Sequence, residues 1–387
     1  LIFNIHDVVL LITAYLSLMF SLLIVLLKER AQHKLFLAGF LFCHALIPLD
    51  ILITFGDYIR PLAEERAPYL FYLFTYAYWL EAPLLLLYTR SLIYRRPFIR
   101  GRDLLVLLPL VFYIINIAPY YLMSAEEKRL FLQGDSIYDY TFSMRALLYL
   151  REAGRLYFLS LCVYEIYRYR KHIRDTFSNI ETIDFGWLKA IVLGFFGLMI
   201  WQILVVFGIE LNIGFRLPVD FETLGLARNY ALLVLVSILV FYSVSHSTVF
   251  AGVEPEKLEP LKDKPTRQVS QEKVERLEAY MLDKKPYMRS NVTVEDLAKD
   301  LDLPPRGLSR VINRHFGRNF FEFINHYRVE EAKRLLSSPE KAHLSVLDVM
   351  LESGFNSKAA FNTFFKKYTG MTPSEYRKQK LSDESRA

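Results

Sequence analysis

The sequence predicts an all-α protein in two parts: a seven-helix transmembrane bundle, then a soluble all-α domain of short helices. Three observations predict it. Hydrophobic residues make up 53% of the 387-residue chain, above the roughly 45–50% of soluble domains. Charge is unevenly placed: 25 of the 47 Lys and Arg, and 21 of the 41 Asp and Glu, follow residue 253. That charged last third is punctuated by helix caps, turn glycines and first-turn prolines. A single soluble globule and a disordered chain are both excluded. Cys43 and Cys162 sit in apolar runs, which excludes a disulfide scaffold and a Cys-rich zinc module. No cofactor or metal is expected.

A membrane span needs about 20 mostly apolar residues. Seven stretches qualify, at 8–27, 35–55, 69–93, 104–123, 146–167, 187–209 and 223–245. The third carries Glu81 and Arg90, and Pro83 is expected to kink it. The fifth carries Arg151, Glu152, Arg155 and Glu165, so it cannot face lipid on all sides. The odd-numbered loops hold eleven basic residues, among them Lys28, Arg30, Arg95, Arg96 and Arg100, against six in the even-numbered loops. By the positive-inside rule the odd loops are cytoplasmic, the amino terminus outside and the tail inside. No small-residue cleavage site follows the first span, which is read as a retained helix.

The seven spans lack a lysine in the last span for a retinal Schiff base, a His-Glu-x-x-His pair for zinc proteolysis, and a transporter-like repeat. What remains is intramembrane charge: Asp50, Glu81, Arg151, Glu152, Arg155 and Arg228. Such charge is costly in hydrocarbon and marks function by default. Arg151 and Arg155 share a helix face. The six residues either line an outward-open pocket for an anionic small-molecule signal, or pair with one another to hold the bundle together. His44 and Asn116 are expected as interhelical hydrogen-bond partners. The aromatic run from Tyr69 to Trp79 is expected to form an interface belt.

Domain boundaries follow from composition: 1–247 the membrane domain, 248–269 a charged linker with Pro255, Pro260 and Pro265, and 270–387 the soluble domain. In the last, Ser270 caps an amphipathic helix with Val274, Leu277 and Met281 inward. Thr293 and Asp296 form a capping pair. Leu301–Leu303 makes a turn. Pro304 and Pro305 open a second helix, with Leu308, Val311 and Ile312 on one face and Arg306, Ser309, Arg310, Asn313 and Arg314 on the other. Gly317 stops it. A stiff helix follows at 320–337. The pattern then repeats: a helix at 346–353, a turn at Gly354, and a helix from Lys358 capped by Ser357. Thr372 and Glu375 start a last helix. These are two helix-turn-helix motifs joined by a linker helix. Between Pro304 and Lys380, fourteen basic residues face seven acidic ones, the electrostatic footprint of nucleic-acid binding.

The string Gly354-Phe-Asn-Ser-Lys-Ala-Ala-Phe-Asn-Thr-Phe-Phe-Lys-Lys-Tyr-Thr-Gly-Met-Thr-Pro-Ser-Glu-Tyr-Arg377 is long and specific. With it, residues 271–380 resemble the DNA-binding domain of AraC/XylS-type bacterial transcription regulators. The resemblance implies that each second helix enters a major groove, on one face of double-stranded DNA. It implies that Arg306, Ser309 and Arg310, then Lys358, Ala359, Asn362 and Thr363, meet base edges, while Arg314, Lys366 and Lys367 meet phosphates. Two positions depart from the family: Pro304 replaces the usual serine cap, and Gly307 a bulkier residue. The expected function is a non-enzymatic, membrane-embedded transcription regulator of the bacterial inner membrane, with RNA polymerase and a second copy of the chain as candidate partners. The rival is a seven-span receptor or transporter whose tail binds protein.

Overall fold

The computed structural model describes residues 4–26, 32–94, 101–133, 142–180, 186–215, 221–245 and 271–384. The expected linker at 248–269, the Ser270 cap and the loop cations Lys28, Arg30, Arg95, Arg96, Arg100 and Arg216 lie outside them. The described residues form helices and no strand, apart from one isolated bridge. The chain divides into two compact units: residues 1–166 with 185–260, and residues 167–184 with 261–387.

In the first unit α1 (Ile5–Leu26), α2 (Gln32–Phe55), α3 (Ile59–Arg66) and α4 (Ala77–Ile93) are followed by α5 (Gly101–Leu105), α6 (Leu108–Leu122) and α7 (Ala125–Gln133). Then come α8 (Phe142–Thr176), whose residues from 167 onward belong to the second unit, α9 (Gly186–Phe215) and α10 (Phe221–Ser245). Among the described residues, four helical stretches are long and apolar enough to cross a membrane: Ile5–Leu26, Gln32–Phe55, Asp103–Leu122 and Leu188–Gly208. Thr223–Leu239 is a shorter apolar helix. Two buried hydroxyls are satisfied by backbone: Thr13 Oγ1 donates to Val9 O at 2.7 Å, and Ser21 Oγ to Ala38 O on the next helix at 2.8 Å.

The structure corrects three expectations here. The third stretch, expected to be helical from 69, begins its α-helix only at Ala77. Pro68 opens a short 3₁₀ turn and Tyr72 takes φ +65°, so the aromatic run turns instead of spiralling. Phe71, Tyr72, Phe74, Tyr76 and Trp79 of the run pack with Tyr113 and Tyr120. The fourth stretch divides at residues 106–107, ahead of Pro109 in the first turn of α6. Asn116 is exposed and donates to Phe112 O of its own helix at 2.8 Å, so it makes no interhelical bond through that nitrogen.

The six candidate charges Asp50, Glu81, Arg151, Glu152, Arg155 and Arg228 divide. Glu152 takes both Nε and Nη2 of Arg151 on one oxygen, at 2.9 and 2.7 Å. Its other oxygen takes Arg155 Nη1 at 2.6 Å. Arg155 also pairs with Glu81, which lies 3.5 Å from His44 Nε2. Asp50 accepts from Thr75 at 3.1 Å. Arg228 is 3% exposed; among the described residues it donates to Asn229 at 3.4 Å and its Nε has no acceptor. A second network escaped the candidate set: buried Arg90 holds Asp103 and Glu165, each at 3.1 Å. Tyr157 and Tyr94 complete it, donating to Asp103 at 2.9 Å and Glu165 at 2.6 Å.

The second unit contains α11 (Gln271–Lys284), α12 (Val294–Asp300), α13 (Pro305–His315), α14 (Phe320–Ser337), α15 (Val346–Glu352), α16 (Lys358–Thr369) and α17 (Pro373–Glu384). α14 organises it. Its first half gives Phe320, Phe323 and Ile324 to a core shared with α11, α12 and α13. Its second half gives Val329, Ala332, Leu335 and Leu336 to a core shared with α15 and α16. One helix of 18 residues, about 27 Å long, thus ties the two motifs into one body.

Candidate nucleic-acid interface

Each motif is built by local rules. Thr293 caps α12, its hydroxyl accepting from Asp296 N while Asp296 takes Thr293 N–H in return. Ser345 and Asp348 do the same for α15. Two orphan amides are satisfied at each start. Asp302, at φ +52°, turns the chain out of α12. Pro304 takes the cap position of α13 in extended conformation and offers no side-chain hydrogen bond. Its carbonyl accepts from Gly307 N at 2.7 Å and Leu308 N at 3.1 Å, so the helix starts without a serine. A Cβ on Gly307 would lie 3.2 Å from Pro304 Cγ. The two departures from the family therefore answer each other: the proline ring occupies the space a larger residue would need.

α13 buries Leu308, Val311 and Ile312. Its other face presents Arg306, Asn313 and Arg314 exposed, with Ser309 and Arg310 half-buried. α16 buries Phe361, Phe364 and Phe365. It leaves Lys358, Ala359, Asn362, Thr363, Lys366 and Lys367 exposed. All eleven candidate residues thus stand off the core, on the second helix of each motif. Arg306, Arg310, Arg314, Lys358 and Lys366 make no ion pair among the described residues. Their charge is uncompensated by the protein, as phosphate neutralisation requires.

Lys367 is different. Its Nζ lies 2.9 Å from Glu322 Oε1 and over the rings of Phe364 and Tyr368. It fastens α16 to the start of α14. Other cations of the basic footprint are also spent internally. Lys333 pairs with Glu330 and Arg334 with Glu331. Arg377 donates to Leu344 O.

Arg328 is the residue that sequence reasoning most underrated. It is 1% exposed, makes no ion pair among the described residues, and burial lowers its pKa to about 10. Its Nε donates to Tyr287 O at 2.8 Å. Nη2 donates to Arg289 O at 2.8 Å and Ser290 O at 3.0 Å. Nη1 donates to Ser178 O and Asn325 Oδ1, each at 3.2 Å. A buried cation satisfied by carbonyl dipoles organises the chain around it. The segment before the first motif is held this way, and Phe355 of the second motif lies 5.7 Å from the same guanidinium.

Residues 297–379 match the family described as a helix-turn-helix domain. The chain is 33% identical over 95 residues to the melibiose operon regulatory protein of Escherichia coli, covering 24% of this chain and 30% of that protein. It is 33% identical over 91 residues to the transcriptional regulatory protein HptR of Staphylococcus aureus, covering 24% and 34%. It is 32% identical over 93 residues to the uncharacterized HTH-type transcriptional regulator YtdP of Bacillus subtilis, covering 24% and 12%. The chain spans about a third or less of the length of these relatives. No solved structure matches it. The tail carries a helix-turn-helix domain, and that much is common ground between this chain and proteins named as regulators.

Proposed function

We propose that the protein is a membrane-embedded transcription regulator that binds double-stranded DNA in a sequence-selective way through α13 and α16. The observation that carries the proposal is the set of five ion-pair-free basic side chains on the outward faces of two helices held in one body by α14. Arg306, Ser309 and Arg310 of α13, and Lys358, Ala359, Asn362 and Thr363 of α16, read base edges. Asn313, Arg314 and Lys366 flank them and position the duplex through its phosphates. The relatives' names as operon and transcriptional regulators support this reading.

The amino-terminal unit crosses the bacterial inner membrane seven times, with its amino end outside and the tail in the cytoplasm. Four long apolar helices and a shorter one support embedding, and the loop charges support the orientation. An anionic signal from outside binds in the charged cluster, where Arg228 has no carboxylate partner among the described residues. Asp50, Glu81, Arg151, Glu152 and Arg155 frame that site. A second copy of the chain and RNA polymerase complete the regulatory complex.

The test is selection of genomic duplex fragments on the full chain in lipid nanodiscs, followed by sequencing. Enrichment of a motif whose two halves are spaced about one helical turn apart supports the proposal. Retention of DNA without sequence enrichment overturns the regulator reading.

A further inference from the structure

The end of α8 belongs to the same compact unit as the helix-turn-helix tail. Phe177 forms an antiparallel bridge with Thr293, the cap of α12. Ser178 N–H donates to Val292 O at 3.2 Å, and Ser178 O takes Arg328 Nη1 at 3.2 Å. Asn291 joins the segment to the second motif as well. Its Oδ1 accepts from Asn179 Nδ2 at 3.3 Å and from Asn356 Nδ2 at 3.4 Å. Asn356 directly precedes Ser357, the cap of α16. Tyr169, Ile173, Ser178 and Ile180 are buried. The end of α8 is thus bonded beside the starts of α12 and α16.

With the segment docked, both reading faces stay open: Arg306, Asn313 and Arg314 of α13 and Lys358, Ala359 and Asn362 of α16 are exposed. What the segment adds is positive charge. Residues 167–180 carry Arg168, Arg170, Lys171 and Arg174 against the single acid Asp175. Lys171 and Arg174 are exposed and three residues apart on one helix face. Neither makes an ion pair among the described residues. Arg174 stands three residues, about one helical turn, before the bridge at Phe177. A recognition helix meets base edges with its amino-terminal residues, so cations held beside the start of α16 come near the flanking phosphates. Lipid phosphates attract the same cations, but membership of the DNA-binding body favours the duplex.

We propose that the end of α8 is a third DNA-contacting element, whose Lys171 and Arg174 hold backbone phosphates beside the groove entered by α16. The DNA-binding body is then discontinuous in sequence, completed by a segment more than a hundred residues before the tail. The proposal rests on the reading of α13 and α16 as DNA-binding helices.

The experiment uses the full chain in nanodiscs of zwitterionic lipid, titrated with a fluorescent mixed-sequence duplex of about three helical turns across a salt series. The double variant Lys171→Gln/Arg174→Gln is expected to lower the salt slope by about two and to bind several-fold more weakly at low salt. Ser178→Pro keeps every cation but removes the N–H that reaches Val292. It leaves Arg328 its acceptors at Tyr287, Arg289, Ser290 and Asn325, so the tail keeps its fold. It is expected to lose slope in the same way. A disulfide between Phe177→Cys and Thr293→Cys suits the spacing of bridge partners, about 5.5 Å or less between Cα atoms. Its oxidised form is expected to keep the full slope and to bind at least as tightly as the reduced form. An unchanged slope in the double variant or in Ser178→Pro, weaker binding on oxidation, or an effect of the double variant that appears only with anionic lipid overturns the proposal. If Lys366→Ala still lowers the slope by about one in that case, the reading of α16 stands. A wild-type chain that shows no salt-dependent binding overturns the DNA-binding reading itself.

Discussion

Gly354 turns the chain directly against the Tyr287 carbonyl, at φ +90°, and a Cβ there would collide with that oxygen and with the Met288 backbone. This contact seats the turn of the second motif on the segment before the first. Gly354→Ala meets two penalties, a backbone conformation foreign to L-residues and a clash with main chain that cannot swing away. It is expected to destabilise the second unit by about 3 kcal/mol. Gly370→Ala is the control: φ is +76° but nothing lies within 4 Å, so about 1 kcal/mol is expected. Hydrogen exchange of α15 and α16 in the full chain checks both, with a much larger rise in exchange for Gly354→Ala.

Base-reading and phosphate-binding residues separate by salt and sequence dependence. Arg310→Ala is expected to cost about 1–3 kcal/mol on the selected site and to relax specificity at one position. Lys366→Ala is expected to weaken selected and random duplexes alike and to reduce the salt slope by about one. Lys367→Ala leaves the salt slope nearly unchanged, because its ammonium is engaged by Glu322. Anisotropy titrations across a salt series decide each case.

The tail was legible because its signals are local. The capping pairs Thr293–Asp296 and Thr372–Glu375 both form as their three-residue spacing dictates. The exposed faces of α13 and α16 follow from the periodicity of their apolar residues. The fate of individual charges was not legible, because it depends on partners far away in sequence. Arg328 counts as one more cation on an amphipathic helix until Ser178, 150 residues earlier, comes beside it. The network of Arg90 with Asp103 and Glu165 likewise joins three separate helices. The turn at Tyr72 was missed because its aromatic neighbours satisfy a hydropathy criterion as well as a helix does.

Acidification is expected to destabilise the tail through His326. The imidazole packs beside Tyr368 at 5.1 Å between centroids. Burial first, then the Arg318 charge, holds its pKa below the ordinary 6.5. In the unfolded chain it takes a proton near about 6.5, while in the fold it does so only at lower pH. Between those values the unfolded state binds more protons, so stability rises with pH and falls on acidification. Urea midpoints of the second unit at about pH 7.5 and 5.5 check this, and His326→Gln is expected to show a smaller drop than the wild type.

Within the amino-terminal unit the arginines differ in what their removal leaves behind. Arg155→Gln strands buried Glu81, whereas buried Glu152 keeps Arg151. Breaking such a pair typically costs about 3–5 kcal/mol. Arg228→Gln removes a buried cation that has no ion pair among the described residues, so the fold is expected to be unharmed or stabilised. Thermal unfolding of the full chain in nanodiscs separates the two. If Arg228 serves an anionic signal, its glutamine variant folds as well as the wild type yet loses any anion-dependent rise in melting temperature. An equal loss of stability in both variants would place Arg228 in the structural network with its neighbours.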